Sequence, residues 1–63
     1  MDYSKLLKTI REKQLLSQMD LTEELGISYA TVNRIENNRH SPTFETKRKI
    51  RDYCKKKEIK VEE

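Results

Sequence analysis

Sixty-three residues make one domain at most, and a chain this short hides only about 60% of the surface its unfolded form exposes. That leaves no room for a catalytic cleft with its supporting residues, so the expectation is a protein that is not an enzyme. Charged residues make up 40% of the chain, hydrophobic ones 33%, and the net charge is +3; the apolar residues are grouped, which argues for a folded domain over a disordered segment.

The charge is unevenly placed. Residues 1–38 are close to neutral, whereas 39–57 carry Arg39, Lys47, Arg48, Lys49, Arg51, Lys55, Lys56 and Lys57 against only Glu45 and Asp52. Such a cationic end suits a polyanionic partner, although a solvated helix face explains the same residues equally well. Cys54 is the only cysteine and His40 the only histidine, so neither a disulfide within the chain nor a multi-cysteine metal site is available. No metal, cofactor or small-molecule effector is expected. No secretory leader and no run approaching ~18 apolar residues is visible, which points to a cytoplasmic protein that does not cross a membrane.

In chain order, Tyr3, Leu6, Leu7 and Ile10 recur at helical spacing and predict a first helix over 2–13, with Asp2 as its cap. Ser17, with Asp20 three residues on, opens a second helix over 17–25 that buries Leu21 and Leu25 and stops at Gly26. Ser28 caps a third helix over 28–37, with Val32 and Ile35 on its inner side and Asn37–Asn38 at its end. Only Gly26 and Ile27 separate the second helix from that cap. Two helices joined so tightly must cross steeply, which is helix-turn-helix geometry. "RHSP" is a loop. Thr43 or Ser41–Pro42 opens a fourth helix over 43–57, with an apolar side of Phe44, Ile50, Tyr53 and Cys54. Lys47 thins that side. The expectation is an all-α domain over 1–57, a bundle of four or at most five short helices, followed by a polar tail over 58–63 that frays.

The stretch "ISYATVNRIENN" at 27–38 shows water short hydrogen-bonding groups where a structural helix would show Lys and Glu. From Ser28 to Ile35 it contains no acid. A helix that enters the major groove needs modest polar side chains, no carboxylate facing phosphate, and apolar anchors behind. In that geometry Ser28, Tyr29, Ala30 and Thr31 come nearest the base edges, with Asn33 and Arg34 further along. Arg34 is the candidate for paired bonds to guanine O6 and N7, its alternative being a phosphate contact. Tyr29 divides evenly between a thymine or phosphate contact and covering the core edge. The loop residues Asn37, Asn38, Arg39, His40 and Ser41 are candidates for phosphate, as are Ser17 and Gln18 at the positive end of the second helix.

These elements together, Arg11, Leu16–Ser17–Gln18, Leu21, Leu25–Gly26, Ile27–Ser28, Thr31–Val32, Arg34–Ile35–Glu36–Asn37 and Pro42, resemble the Cro/C1-type helix-turn-helix family, the Xre-like repressor domains. The likeness spans residues 5–54. It implies the lambda-repressor-like fold and sequence-specific binding of double-stranded DNA by a small regulator, a repressor by preference. It also implies a largely buried ion pair between Arg11 and Glu36, and a Gln18 that contacts phosphate and often braces the third helix. Four departures stand out: Thr22 where the family has Ala, Leu15 where Gly or Asn ends the first helix, Asn38 for Gly, and Lys47 for Leu. "YATVNRIENNRHSPT" also resembles units that some prokaryotes couple to helicases or restriction–modification enzymes, so an accessory or protein-interaction module is the alternative reading. One such motif reads few base pairs, so a weak homodimer is expected, with Phe44, Ile50, Tyr53, Cys54, Ile59 and Val61 as candidate contacts.

Overall fold

The ends of the helices explain how so few residues close a core. The computed structural model describes residues 2–60, which form α1 (Tyr3–Gln14), α2 (Gln18–Leu25), α3 (Tyr29–Glu36) and α4 (Phe44–Lys56) and, among those residues, no strand. Each helix starts on a side-chain cap. Asp2 accepts from the Lys5 amide, Ser17 from Asp20, Ser28 from Thr31 and Thr43 from Thr46. At α2 the cap is reciprocal, because the Asp20 carboxylate also accepts from the Ser17 amide at 3.2 Å. These bonds use amides that the helix itself leaves without acceptors.

At the other ends the chain turns through the left-handed region at Leu15, Gly26, Asn38 and Glu58. After three of these turns the next residue is apolar and folds back on the core: Leu16, Ile27 and Ile59. The backbone bonds are those of a tight helix stop, with Leu16 N–H donating to the Arg11 carbonyl and Ile59 N–H to that of Cys54, both at 2.8 Å. Asn38, between α3 and the loop, is followed by Arg39 N–H donating to the Arg34 carbonyl at 2.8 Å. Here the apolar follower is absent.

The buried core joins Leu6, Leu7 and Ile10 of α1 to Leu21 and Leu25 of α2, Val32 and Ile35 of α3, and Ile50, Tyr53 and Cys54 of α4. α3 packs on both α1 and α2, and α4 closes against α2. Two polar links from α4 reinforce that closure. Tyr53 donates its hydroxyl to Glu24 at 3.4 Å, and Lys49 donates to the Gly26 carbonyl at 3.2 Å, where α2 presents its negative end. Burial, followed by the neighbouring Glu24 carboxylate, pushes the Tyr53 ionisation up.

Two expectations need correcting. Ile50, Tyr53 and Cys54 are buried within the monomer, and so is Ile59, so none is available as a dimer contact. The hydrophobic effect takes them inward because a core this small has no apolar residue to spare. Ile59 also removes the start of the tail from the frayed segment, since it seals the end of α4; Val61 lies outside the described residues. Burial raises the Cys54 thiol against the opposing pull of Arg51, as befits a cysteine that packs in the core. Lys47, in turn, stays exposed and sets its ammonium 5.7 Å from the centre of the Tyr3 ring, within range of cation–π attraction.

Leu15 carries two local costs at once: a left-handed backbone, φ 55°, and a side chain 90% exposed. Replacing it deletes no packing. Leu15→Gly relieves a conformational cost of about 1–2 kcal/mol, partly offset by the greater freedom of glycine in the unfolded chain. Urea denaturation should therefore show a gain of about 0.5–1 kcal/mol. A loss of stability would mean that the exposed leucine holds a contact.

Candidate nucleic-acid interface

At ~100° per residue, burial of Val32, Ile35 and Glu36 turns the opposite face of α3 outward. That face is the ridge Ala30, Asn33, Arg34, Asn37, spaced i, i+3, i+4, i+7. Ser28, Tyr29, Ala30 and Arg34 are exposed, and Thr31 and Asn33 are half-buried at its flanks. The side chain at the leading end of the ridge is a methyl group, which permits close approach of a partner surface to the backbone. Glu36 is the single acid of α3, and it is 2% exposed. The outward face thus holds no carboxylate.

Glu36 points inward because Arg11 meets it. Arg11 Nε donates to Glu36 Oε2 at 2.9 Å and Nη2 to Oε1 at 2.7 Å, a bidentate pairing of fork and carboxylate. Ser4 donates its hydroxyl to the Glu36 backbone carbonyl at 2.6 Å, so α1 holds both the side chain and the main chain at the end of α3. Ser4 has no signature in the sequence; thirty-two positions from its partner, it reads as a polar residue on an amphipathic helix.

Gln18, in the first turn of α2, donates from Nε2 to Glu36 Oε1 at 3.3 Å and accepts at Oε1 from Asn33 Nδ2 at 3.3 Å. Asn37 Nδ2 then donates to Asn33 Oδ1 at 3.2 Å. A continuous polar path therefore runs from the Arg11 guanidinium to the exposed Asn37. The candidate residues Gln18, Asn33 and Asn37 come together in one network, in which Gln18 braces α3 at Asn33 and Glu36.

Other candidates are partly committed to local structure. The Ser28 and Thr31 hydroxyls lie 2.7 Å apart, so one of their two hydrogens is spent between them, while Ser28 also accepts from the Thr31 amide. Ser17 has its backbone N–H taken by Asp20, which leaves its hydroxyl hydrogen as the group free to donate outward. Asn38, Arg39, His40 and Ser41 are exposed in the loop between α3 and α4.

Several basic residues of α4 rest against neighbouring groups. Lys47 lies over Tyr3, Arg48 over Phe44 at 5.7 Å and Lys57 over Tyr53, while Lys49 reaches the α2–α3 turn. Lys47, Arg51 and Lys55, spaced i, i+4 and i+8, share one side of α4, while Lys49 points to another.

A helix ending in Gly26, a two-residue link to the cap Ser28, and a second helix with an exposed, acid-free face make up a DNA-binding helix-turn-helix module. A helix-turn-helix family model matches residues 7–60, and the chain belongs to that family, of Cro/C1 type. No curated protein and no solved structure gives a significant match. No helix among the described residues is long and apolar enough to cross a membrane.

Removing one partner of an ion pair strands the other charge. Arg11→Ala leaves the Glu36 carboxylate buried without its cation, a loss of about 3–5 kcal/mol, with the lower end favoured because Arg11 is itself 27% exposed. Small domains carry about 5–15 kcal/mol in total. Circular dichroism should show the variant melting far below the parent, and a melting point within a few degrees would show that water replaces the guanidinium.

Proposed function

We propose that this protein is a small transcriptional regulator, a repressor by preference, that binds double-stranded DNA sequence-specifically with α3 in the major groove. The observation that carries the proposal is the acid-free outward ridge of α3, whose one carboxylate is turned into the core. In this reading Arg34, exposed in the last turn of α3, pairs with guanine O6 and N7. Ser28, Tyr29, Ala30 and Thr31 lie against the base edges at the leading end. Gln18 on one flank, with Arg39, His40 and Ser41 on the other, holds the phosphates and sets register. Ser17 contributes through its hydroxyl and Asn38 through its exposed amide. The setting is the cytoplasm, where duplex DNA is reached directly in a prokaryotic cell.

Recognition is shared between two copies that meet on DNA. With Ile50, Tyr53 and Cys54 inside the monomer, Phe44, 79% exposed at the start of α4, is the candidate dimer contact that remains among the described residues. One aromatic side chain buries about 150–250 Å², far below the ~1,200 Å² of a stable interface, so the DNA itself must supply most of the association. Sedimentation at micromolar concentration should give a monomer without DNA and two copies per duplex with it. A stable dimer in the absence of DNA would refute the weak-dimer reading.

Selection from random duplex DNA separates the roles of the two arginines. Arg34→Ala should relax preference at one base pair, at a cost of about 1–3 kcal/mol. Arg39→Ala should weaken binding evenly across sequences and reduce the salt dependence by about one phosphate contact. Uniform loss in both variants makes Arg34 a backbone contact. Binding insensitive to salt and to sequence would favour a protein-interaction module over a DNA reader.

A further inference from the structure

We propose that two copies on DNA dock head to tail, the Phe44–Arg48 corner of one against the Met19–Glu23 corner of the next. The contact joins two different patches, so the half-sites this protein reads run in the same direction along the duplex. The proposal rests on the DNA-reading role of α3 and supplies what Phe44 docks against.

The two corners are built alike and carry opposite charge. At the start of α4, Phe44 is 79% exposed, and Arg48, one turn on, sets its guanidinium 5.7 Å from the ring centre. At ~100° per residue the acids of α4, Glu45 and Asp52, fall on the far side of Arg48 from the ring. In the first turn of α2, Met19 is 54% exposed, and Glu23, one turn on, is exposed as well. α2 holds acids and no base. Of those acids, Asp20 is engaged with the Ser17 amide and Glu24 with the Tyr53 hydroxyl, whereas Glu23 has no partner among the described residues.

Like corners repel. Phe44 against Phe44 brings Arg48 toward Arg48, and Met19 against Met19 brings Glu23 toward Glu23. Unlike corners join a cation to a carboxylate beside two apolar side chains. Their positions suit a row on DNA. Met19 follows Gln18, the phosphate contact on one flank of α3, and Phe44 follows the loop that holds phosphates on the other. Side chains extend the longest dimension, 26 Å between Cα atoms, to about 32 Å. One DNA turn is ~34 Å, so copies centred one turn apart bring the two corners within reach of each other. A contact between different patches does not close on itself, and it sets successive copies in one orientation.

Selection from long random duplexes should return paired half-sites in the same orientation, centred about 10 bp apart. On a duplex with two such half-sites, the second copy should bind about tenfold more tightly than a copy on a single one. Arg48→Glu and Glu23→Arg should each cut that gain to about twofold, measured against the variant's own single-site affinity. Retained single-site binding shows that each variant is folded. The double variant Glu23→Arg/Arg48→Glu, which exchanges the charges, should restore the tenfold gain. Inverted half-sites, no gain in the parent, or a double variant no better than the single ones overturns this contact and leaves α3 as the reader. Failure of the parent to bind a single half-site overturns the DNA-reading role, and this proposal with it.

Discussion

The outer face of α3 depends on one buried carboxylate. An acid in the last turn of a helix that approaches DNA would repel phosphate if it faced outward. Glu36 instead lies in the core, where an unpaired charge costs several kcal/mol, and that cost is met by the two-pronged contact from Arg11. The consequence is geometric as well as electrostatic. Because α1 must deliver its guanidinium to the end of α3, the rotation of α3 about its own axis is set, and with it the direction of the ridge Ala30–Arg34. The Ser4 hydroxyl on the Glu36 carbonyl ties the same two helices a second time.

Around that pair the chain closes a small core by a repeated local device. A left-handed residue stops a helix, and the next residue, apolar, folds back: Leu15–Leu16, Gly26–Ile27, Glu58–Ile59. Each connection therefore adds apolar burial where a polar loop would add none, which matters in a domain with so little interior. Only Gly26 takes this conformation without steric cost. The link between α2 and α3 is also the connection whose angle the proposed function depends on, and Lys49 holds the Gly26 carbonyl across from α4. At Leu15, where nothing is shown to depend on side-chain identity, the strained choice persists.

The placement of the cations bears on how such a module would divide affinity from specificity. Lys47, Arg48 and Lys57 each lie over an aromatic ring. A diffuse positive field attracts a polyanion from many directions without fixing register. Register must come from groups tied to the scaffold, and Gln18, Asn33 and Asn37 are tied through Glu36 to the interior. The exposed loop residues Arg39 and His40 have only local anchoring.

Much was legible in the sequence because it is encoded locally. The caps Asp2, Ser17, Ser28 and Thr43, the stop at Gly26 and the apolar spacing of α1 and α3 are short-range chemistry, repeated within one or two turns. The split of α3 into an inner Val32–Ile35 side and an outer polar side follows from the period of the helix alone. What the sequence left open depends on contacts between residues far apart in the chain. Tyr53, Cys54 and Ile59 have the same apolar character whether they face a neighbour or their own core, and only the packing of α4 against the rest turned them inward. In the same way, the resemblance implies that Gln18 braces the third helix, but which residues it meets, Asn33 and Glu36, and the onward bond from Asn37, are not visible in the row. A hydrogen bond needs its two partners at about 3 Å, and that proximity exists only after α1, α2 and α3 have converged on Glu36.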